Sequence, residues 1–230
     1  MLNDWQNKSK EKWDKQAISW DSRSLNMWEN GSRKDIIPFF KKHISLMSTV
    51  IDIGCGSGYG SYKLSENGYQ VTGIDISTEM IDIAKVKLEN QSIPLHVGEV
   101  DSLPFEDESF QSALLINVIE WTKNPAKSLT EIKRVLTKNG YLCAGILGAT
   151  AGPRANSYPR LYGKDVIMNT MMPWEFFELA REHGFKLIEQ KPVYKTGINI
   201  ESVAHLDDNL KQAISFMTLF MLQKGDEQDE

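Results

Sequence analysis

Short β-branched apolar segments alternate with helical segments from residue 50 onward, and this alternation limits the possible folds more than any other feature of the sequence. Parallel strands that are buried on both faces form continuous apolar runs, and the connections between them carry helices. We therefore predict an α/β fold with a parallel sheet covered by helices on both faces. The strand candidates are residues 50–53, 71–76, 95–97, 112–117, 141–147, 185–189 and 216–222.

The ends of two helices between these strands are also readable. Asn124 and Pro125 suit the first turn of one helix, which we expect to end near Gly140. Ser77 suits the N-cap of another, which we expect to run to about Asn90.

With 230 residues, the chain has the length of one large domain. We predict a helical arm or cap in residues 1–48 and a main domain in residues 49–225. Within that domain, residues 149–172 form the longest loop-like segment, and loops of this length are often functional. Residues 226–230 read as an acidic tail.

Composition disfavours several classes of protein. The chain has 26 Lys and Arg against 31 Asp and Glu, a net charge of −5, which argues against nucleic-acid binding. Cys55 and Cys143 form neither a disulfide framework nor a zinc pattern, so we predict no metal site. The first ten residues do not resemble a signal peptide, and we expect a cytoplasmic protein without membrane insertion.

A glycine-rich turn follows the first predicted strand, where residues 52–60 read DIGCGSGYG. Glycines let a ligand approach the backbone, and the helix that follows offers unpaired N–H groups. The dinucleotide pattern G-x-G-x-x-G would need glycine at position 59 or 61, where the chain has Tyr59 and Ser61. No Gly-Lys-Ser/Thr follows either, so the turn is not a phosphate-binding P-loop.

An acidic residue, Asp75, ends the second predicted strand about twenty positions after the glycine turn. A carboxylate at this place can accept hydrogen bonds from the hydroxyl groups of an adenosine ribose. We predict that Asp75 binds a ribose. The alternative is that Asp75 only begins the turn into the helix that Ser77 caps.

Four tryptophans in the arm, Trp5, Trp13, Trp20 and Trp28, are spaced by eight, seven and eight residues. This spacing is close to a stripe along one helix face. Our first interpretation is that the stripe packs on the sheet, as aromatic stripes usually do. The alternative is an aromatic arm that closes over a ligand.

Taken together, the glycine turn, Asp75, residues 98–105 (GEVDSLPF) and residues 110–119 (FQSALLINVI) resemble the class I S-adenosylmethionine-dependent methyltransferases. More narrowly, they look like the small-molecule branch that includes the ubiquinone and menaquinone C-methyltransferases. The resemblance implies one Rossmann-like domain with a seven-stranded, mostly parallel sheet whose last strand is antiparallel. It also implies in-line transfer of a methyl group from S-adenosylmethionine to a small-molecule acceptor, leaving S-adenosylhomocysteine.

The resemblance further implies a set of cofactor-binding residues. They are Arg33 for the methionine carboxylate, Gly54 and Gly56 for the methionine portion, Asp75 for the ribose, Ile76 and Met80 for the adenine ring, Glu99 for the adenine amino group, Val100 through its backbone N–H, and Asn117 through its carbonyl to the methionine ammonium. Glu99 stands where the family usually has Asp. For Arg33, the alternative is a surface arginine near a helix start.

Acceptor recognition is predicted for Trp121 and for Tyr158, Arg160 and Tyr162 in the long loop. These residues follow the carboxyl ends of the fourth and fifth strands, where sheets of this kind bind ligands. The alternative for the two tyrosines is that they only fix the loop. No catalytic residue stands out, because a sulfonium leaving group needs no acid and a base is needed only if the acceptor must lose a proton.

Two other functions remain open at this point. A protein of the same fold could transfer an aminopropyl group from the decarboxylated cofactor, which has no carboxylate for Arg33 to bind. The chain could also be a non-catalytic cofactor-binding or scaffold protein. The sequence names neither the acceptor nor the oligomeric state.

Overall fold

The computed structural model describes residues 4–225, so the predicted acidic tail at residues 226–230 lies outside the described residues. The described chain forms one seven-stranded sheet with the strand order β3-β2-β1-β4-β5-β7-β6. The strands are β1 (Thr49–Ile53), β2 (Gln70–Asp75), β3 (Leu95–Val97), β4 (Phe110–Ile116), β5 (Leu136–Leu147), β6 (Phe185–Tyr194) and β7 (Ser215–Lys224).

Helices precede the sheet and connect its strands. The α-helices are α1 (Asp4–Glu29), α2 (Ile36–His43), α3 (Tyr59–Glu66), α4 (Thr78–Lys87), α5 (Pro125–Val135), α6 (Pro173–Glu182), α7 (Ile200–Val203) and α8 (Asp208–Ile214). Two 3₁₀ helices, Ile119–Trp121 and Gly152–Tyr162, follow β4 and β5. The second lies in the segment predicted as a loop at residues 149–172.

Strand directions confirm the predicted fold. β1 pairs in parallel with β2 and β4, and β4 pairs in parallel with β5. The last strand, β7, is antiparallel to both β5 and β6. The connection after β1 leads to β2 on one side, and the connection after β4 leads to β5 on the other side. The two connections therefore diverge between β1 and β4. In open sheets of this kind, ligands bind at such a switch point, beside the carboxyl ends of the strands.

Hydrophobic residues fill both faces of the sheet. Neighbouring residues of β1 point to opposite faces, so Val50 joins one core cluster and Ile51 the other. Phe40 of α2 packs in the cluster of Val50, and Phe176 of α6 packs in the cluster of Ile51. All four side chains are fully buried. The resulting two-sided core holds the carboxyl edge of the sheet rigid.

The helix predicted to end near Gly140 is shorter than its sequence pattern suggests. Asn124 caps α5 as expected, accepting a hydrogen bond from the Lys127 backbone N–H at 3.1 Å. However, α5 ends at Val135, and Leu136 already pairs with Phe110 of β4. Residues 136–140, for which the local sequence predicts a helix, therefore belong to the paired strand β5.

The glycine turn between β1 and α3 is tightly enclosed. Gly54 has a φ of +69°, and a Cβ atom added there would lie 2.2 Å from Cγ2 of Val118. Gly58 has a φ of +82°, and a Cβ atom there would lie 2.8 Å from Leu88. A side chain at either position would meet both backbone strain and a steric clash.

Replacing Gly54 tests this enclosure. Because Gly54→Ala forces its methyl group against Val118, we expect a loss of about 1–3 kcal/mol in the free energy of unfolding in urea. Adding Val118→Ala should restore part of the loss, since it removes the clashing methyl groups. The matched control is Gly152→Ala, where no atom lies within 4 Å of the added Cβ. Equal stability of the Gly54 and Gly152 variants would contradict this description of the turn.

Candidate functional site

A cavity of about 110 Å³ lies where β1, β2 and β4 end, between the sheet and α1. All nine residues that the sequence predicts to bind the cofactor line this cavity. They are Arg33, Gly54, Gly56, Asp75, Ile76, Met80, Glu99, Val100 and Asn117. Trp121, predicted to contact the acceptor, also lines it.

Asp75 is fixed at the end of β2 by backbone donors. The N–H groups of Gly56 and Ser77 each donate to its carboxylate at 2.9 Å. Burial raises the pKa of Asp75 above its ordinary value. Since a carboxylate has about four lone-pair positions, Asp75 retains acceptor capacity for a ligand hydroxyl. Its bond to Ser77 shows that Asp75 also begins the turn into α4.

Arg33 reaches the cavity from the connection between α1 and α2. Its guanidinium lies over the rings of Trp20 and Trp28, at 4.9 and 5.6 Å from their centroids. Burial lowers the pKa of Arg33 to about 10, and the charge of Asp52 opposes this shift. The group is therefore cationic at neutral pH. Within residues 4–225 its guanidinium donates no hydrogen bond, which leaves its donors available to an anion.

An acidic pair closes the opposite part of the cavity. Gln6 of α1 donates through Nε2 to Glu99 and to Asp101. Burial and the neighbouring Asp101 raise the pKa of Glu99 to about 7. The Glu99 carboxyl therefore changes from its protonated to its ionised form near neutral pH, and its capacity to accept hydrogen bonds changes with it.

Asn117 ends β4 beside the glycine turn. Its φ is +56°, a left-handed conformation that Asn adopts more readily than most residues. Its backbone N–H and its side-chain Nδ2 both donate to the Gly145 carbonyl, at 2.8 and 3.1 Å. These bonds fix the turn that leads to Val118 and Trp121.

The α1 helix forms the roof of the cavity. Trp5 donates through Nε1 to the Trp121 carbonyl at 2.8 Å, and Asp14 accepts a hydrogen bond from Ser77 Oγ at 2.6 Å. The Trp13 ring lies edge-on to Trp20 and Trp121, with centroids 5.5 and 5.1 Å away. α1 is thus attached at both the β2 and β4 ends of the cavity.

The structure divides the tryptophan stripe between the two interpretations given above. Trp5, Trp13 and Trp20 line the cavity, as the alternative of an arm over a ligand requires. Trp28 instead packs in the core cluster on the sheet, as the first interpretation requires.

Three residues near Trp121 went unnoticed in the sequence, and Asn169 is one of them. Its Nδ2 donates to the carbonyls of Ile119 and Thr122 at 2.7 and 3.0 Å, and its backbone N–H donates to Glu120 at 2.9 Å. Asn169 therefore fastens the 3₁₀ turn that carries Trp121 to the far end of the long loop. Its partners lie about 50 residues away, so no local pattern identifies it.

Arg154 and Glu120 are the other two. Arg154 is buried and donates to carbonyls at both ends of the long loop, those of residues 147, 148, 170 and 171. Glu120 is fully buried and accepts from the Leu147 N–H at 2.6 Å. Burial raises the pKa of Glu120 to about 6, although the charge of Arg154 opposes the shift. Arg154 and Glu120 therefore hold the base of the loop through bonds to its backbone.

The predicted acceptor residues of the long loop lie outside the cavity lining. Tyr158 and Tyr162 are exposed, and their hydroxyl oxygens are 3.2 Å apart. Arg160 donates to the carbonyl and hydroxyl of Ser157, both at 3.0 Å. Their contact with an acceptor stays a prediction.

Residues 4–225 contain neither a cluster of metal-ligand side chains nor a membrane-spanning helix. No group of three or more His, Cys, Asp or Glu side chains in this range is arranged to hold a metal ion. In the same range, every helix is too short or too polar to cross a bilayer.

Comparison with known proteins gives the family. A family model described as a methyltransferase domain matches residues 51–144. The chain is 31% identical over 161 residues to the uncharacterized protein MJ1123 of Methanocaldococcus jannaschii, an alignment that covers 68% of this chain and 73% of that protein. The chain belongs to the class I S-adenosylmethionine-dependent methyltransferase family.

Other similarities extend to longer proteins and to the fold. This methyltransferase-family chain is 27% identical over 179 residues to the biotin biosynthesis bifunctional protein BioHC of Teredinibacter turnerae, covering 73% of the chain but 31% of BioHC. It thus spans less than a third of that relative. A solved complex between the Haloferax volcanii Trm112 methyltransferase activator and a putative methyltransferase matches with a TM-score of 0.72 and 21% identity, over 93% of this chain and 98% of that one.

Glu120→Gln tests the buried acid beside Trp121. The folded-state pKa of Glu120, about 6, exceeds its ordinary value of 4.5, so folding favours the protonated form. The stability that this proton contributes is present below about pH 4.5 and is lost as the pH rises through about 6. The variant should therefore gain about 2 kcal/mol relative to the wild type between about pH 4 and about pH 7.5.

Urea unfolding of both proteins across this range measures the difference, and other titrating groups cancel because both proteins contain them. The control is Glu178→Gln, since Glu178 is an exposed partner of Arg181 on α6. If the stability difference between Glu120→Gln and the wild type did not change with pH, folding would not raise the pKa of Glu120.

Proposed function

We propose that this chain binds S-adenosylmethionine and transfers its methyl group to a small-molecule acceptor. The observation that carries the proposal is the common lining of one cavity by the nine residues predicted from five separate segments of the chain. Convergence of this kind is expected for a ligand site at a switch point of the sheet.

The polarity of the cavity supports the proposed orientation of the cofactor. Asp75 offers acceptor capacity for ribose hydroxyls, and Arg33 offers unused donors for the methionine carboxylate. Ile76 and Met80 supply apolar surface for the adenine ring, with Glu99 at its edge. Asn117 and the glycines of the turn then lie along the methionine portion.

When bound, S-adenosylmethionine supplies an electrophilic methyl group on a positively charged sulfur. The residues of this chain contribute alignment and exclusion of water. The glycine turn and Asn117 fix one side of the reacting centre, and Trp13 and Trp121 enclose the other. None of these groups is a base, which suits an acceptor that is already a nucleophile.

The finer assignments are also proposals. The motif resemblance supports the branch of the ubiquinone and menaquinone C-methyltransferases, and the aromatic surface of Trp13 and Trp121 suits a planar acceptor. Tyr158, Arg160 and Tyr162 would contact a part of the acceptor that extends beyond the cavity.

Calorimetric titration tests the proposed cofactor. We expect saturable binding of S-adenosylmethionine and S-adenosylhomocysteine and no binding of NAD, because the turn lacks the dinucleotide pattern. Decarboxylated S-adenosylmethionine should bind more weakly, since Arg33 would lose its partner. Equal or tighter binding of the decarboxylated form would favour aminopropyl transfer. Binding of the cofactor without turnover of any acceptor would favour the scaffold alternative, and failure of all ligands would contradict the proposal.

Asp75→Ala tests the ribose contact. Loss of hydrogen bonds to a charged acceptor should weaken S-adenosylmethionine binding by roughly 1.5–3 kcal/mol in the same titration. The control is Asp82→Ala, because Asp82 is an exposed carboxylate on α4 that pairs with Lys85 at 3.7 Å. Unchanged affinity in a folded Asp75 variant would remove Asp75 from the site.

A further inference from the structure

A second concave surface adjoins the cavity. It is an open groove of about 1180 Å³, formed by the α1–α2 connection, the end of β6, the segment that carries α7 and α8, and the start of β7. We call it the β6–β7 groove. Ser32 and Lys34 line the groove, whereas Arg33 between them lines the cavity. One short connection therefore forms a wall of both.

The groove is basic in a chain that is acidic overall. Four lysines and two aspartates line it, whereas the net charge of the chain is −5. Lys34, Lys195 and Lys211 make no ion pair with any carboxylate of residues 4–225. An anion in the groove would therefore meet ammonium groups that no protein carboxylate neutralises.

Both aspartates of the groove bond to other lining residues. Asp35 pairs with Lys191 at 3.6 Å, and Asp208 accepts a hydrogen bond from Gln190 at 2.7 Å. Asp208 keeps its negative charge, so the lining as a whole carries two more lysines than aspartates.

Apolar side chains also line the groove. Tyr194, Ile198, Ala204 and Phe216 line it together with Ile200, which is 65% exposed. An exposed isoleucine beside unpaired lysines makes an amphipathic surface. Such a surface suits a ligand that has both an apolar chain and an anionic group.

Two buried oxygen atoms beneath the groove also lack partners. Gln212 Oε1 and Thr218 Oγ1 belong to lining residues, and no donor or acceptor within residues 4–225 bonds to either. Unpaired buried polar atoms are unfavourable. A small movement of α8 toward a polar ligand would give Gln212 Oε1 a partner, whereas Thr218 Oγ1 is held in place by β7.

Phe216 connects the groove to the reacting end of the cavity. It lines the groove and packs in the hydrophobic cluster that contains Trp13 and Trp121. Its carbonyl accepts a hydrogen bond from the Gly148 N–H at 2.8 Å, at the start of the long loop. The cavity and the groove share no lining residue, so a molecule that reached from Trp121 into the groove would displace the Phe216 side chain.

We propose that the β6–β7 groove binds the non-reacting part of the acceptor, and that this part is an apolar chain bearing an anionic group such as a phosphate or carboxylate. The identification of the ligand as part of the methyl acceptor rests on the proposed function. Binding in the groove can be measured independently of that function. The lysines would hold the anionic group, and Ile200, Tyr194 and Phe216 would cover the chain.

Titration of the full chain with decyl phosphate tests the groove. We expect saturable binding that weakens at high salt, with weaker binding of decanol and of inorganic phosphate, because each has only one of the two features. Decanoate in place of decyl phosphate distinguishes a carboxylate from a phosphate. The Lys34→Glu/Lys211→Glu variant should weaken decyl phosphate binding at least about ten-fold, and Ile200→Asp should also weaken it.

The control variant, Lys85→Glu/Lys138→Glu, makes the same change of charge on exposed lysines away from the groove. It should bind decyl phosphate nearly as well as the wild type. The proposal would be overturned if groove and control variants bound decyl phosphate equally, or if S-adenosylhomocysteine displaced it completely. S-adenosylmethionine binding is measured on every variant. Decyl phosphate binding without S-adenosylmethionine binding would refute the proposed function while leaving the groove intact.

Discussion

Gly54 and Cys55 donate their backbone N–H groups to the Ile74 carbonyl at 2.7 and 3.1 Å, and Gly56 donates to the Asp75 carboxylate at 2.9 Å. These three bonds tie the turn after β1 to the end of β2. Val118, which follows β4, lies so close to Gly54 that no room is left for a Cβ atom there. The end of β4 therefore meets the same turn. Asp75, Asn117 and the turn can therefore face one cavity only because the turn is made of glycine.

The α1 helix forms the side of the cavity that lies opposite the strand ends. Its tryptophans and Gln6 supply the side of the cavity away from the strands, and its attachments at Ser77 and Trp121 span the β2 and β4 ends. The buried Arg154 and Glu120 anchor the long loop beside Trp121, so this side of the cavity is fixed from a different part of the chain.

Much of this arrangement could be predicted from the sequence because its signals are local. A β-branched strand, a glycine turn and an acid at the end of the next strand each lie within a few residues, and parallel pairing brings them to one edge. The position of α1 could not be predicted, because one tryptophan spacing suits packing on the sheet and covering a ligand alike. Contacts of Asp14 and Trp5 with distant residues fix the position of α1 instead. Strand pairing of Leu136 likewise shortened α5, and the partners of Arg154 and Asn169 are remote in sequence.

Hydrogen–deuterium exchange with and without saturating S-adenosylhomocysteine tests the central claim most directly, namely that the glycine turn, the ends of β2 and β4, and α1 enclose one cofactor site. Exchange of a backbone amide reports local opening, and a ligand held between these elements must slow it in all of them. The account predicts added protection in residues 4–29, 54–60, 75–80 and 117–123, with little change in α6 and β6. Protection confined to the strand ends, with α1 unaffected, would contradict the account.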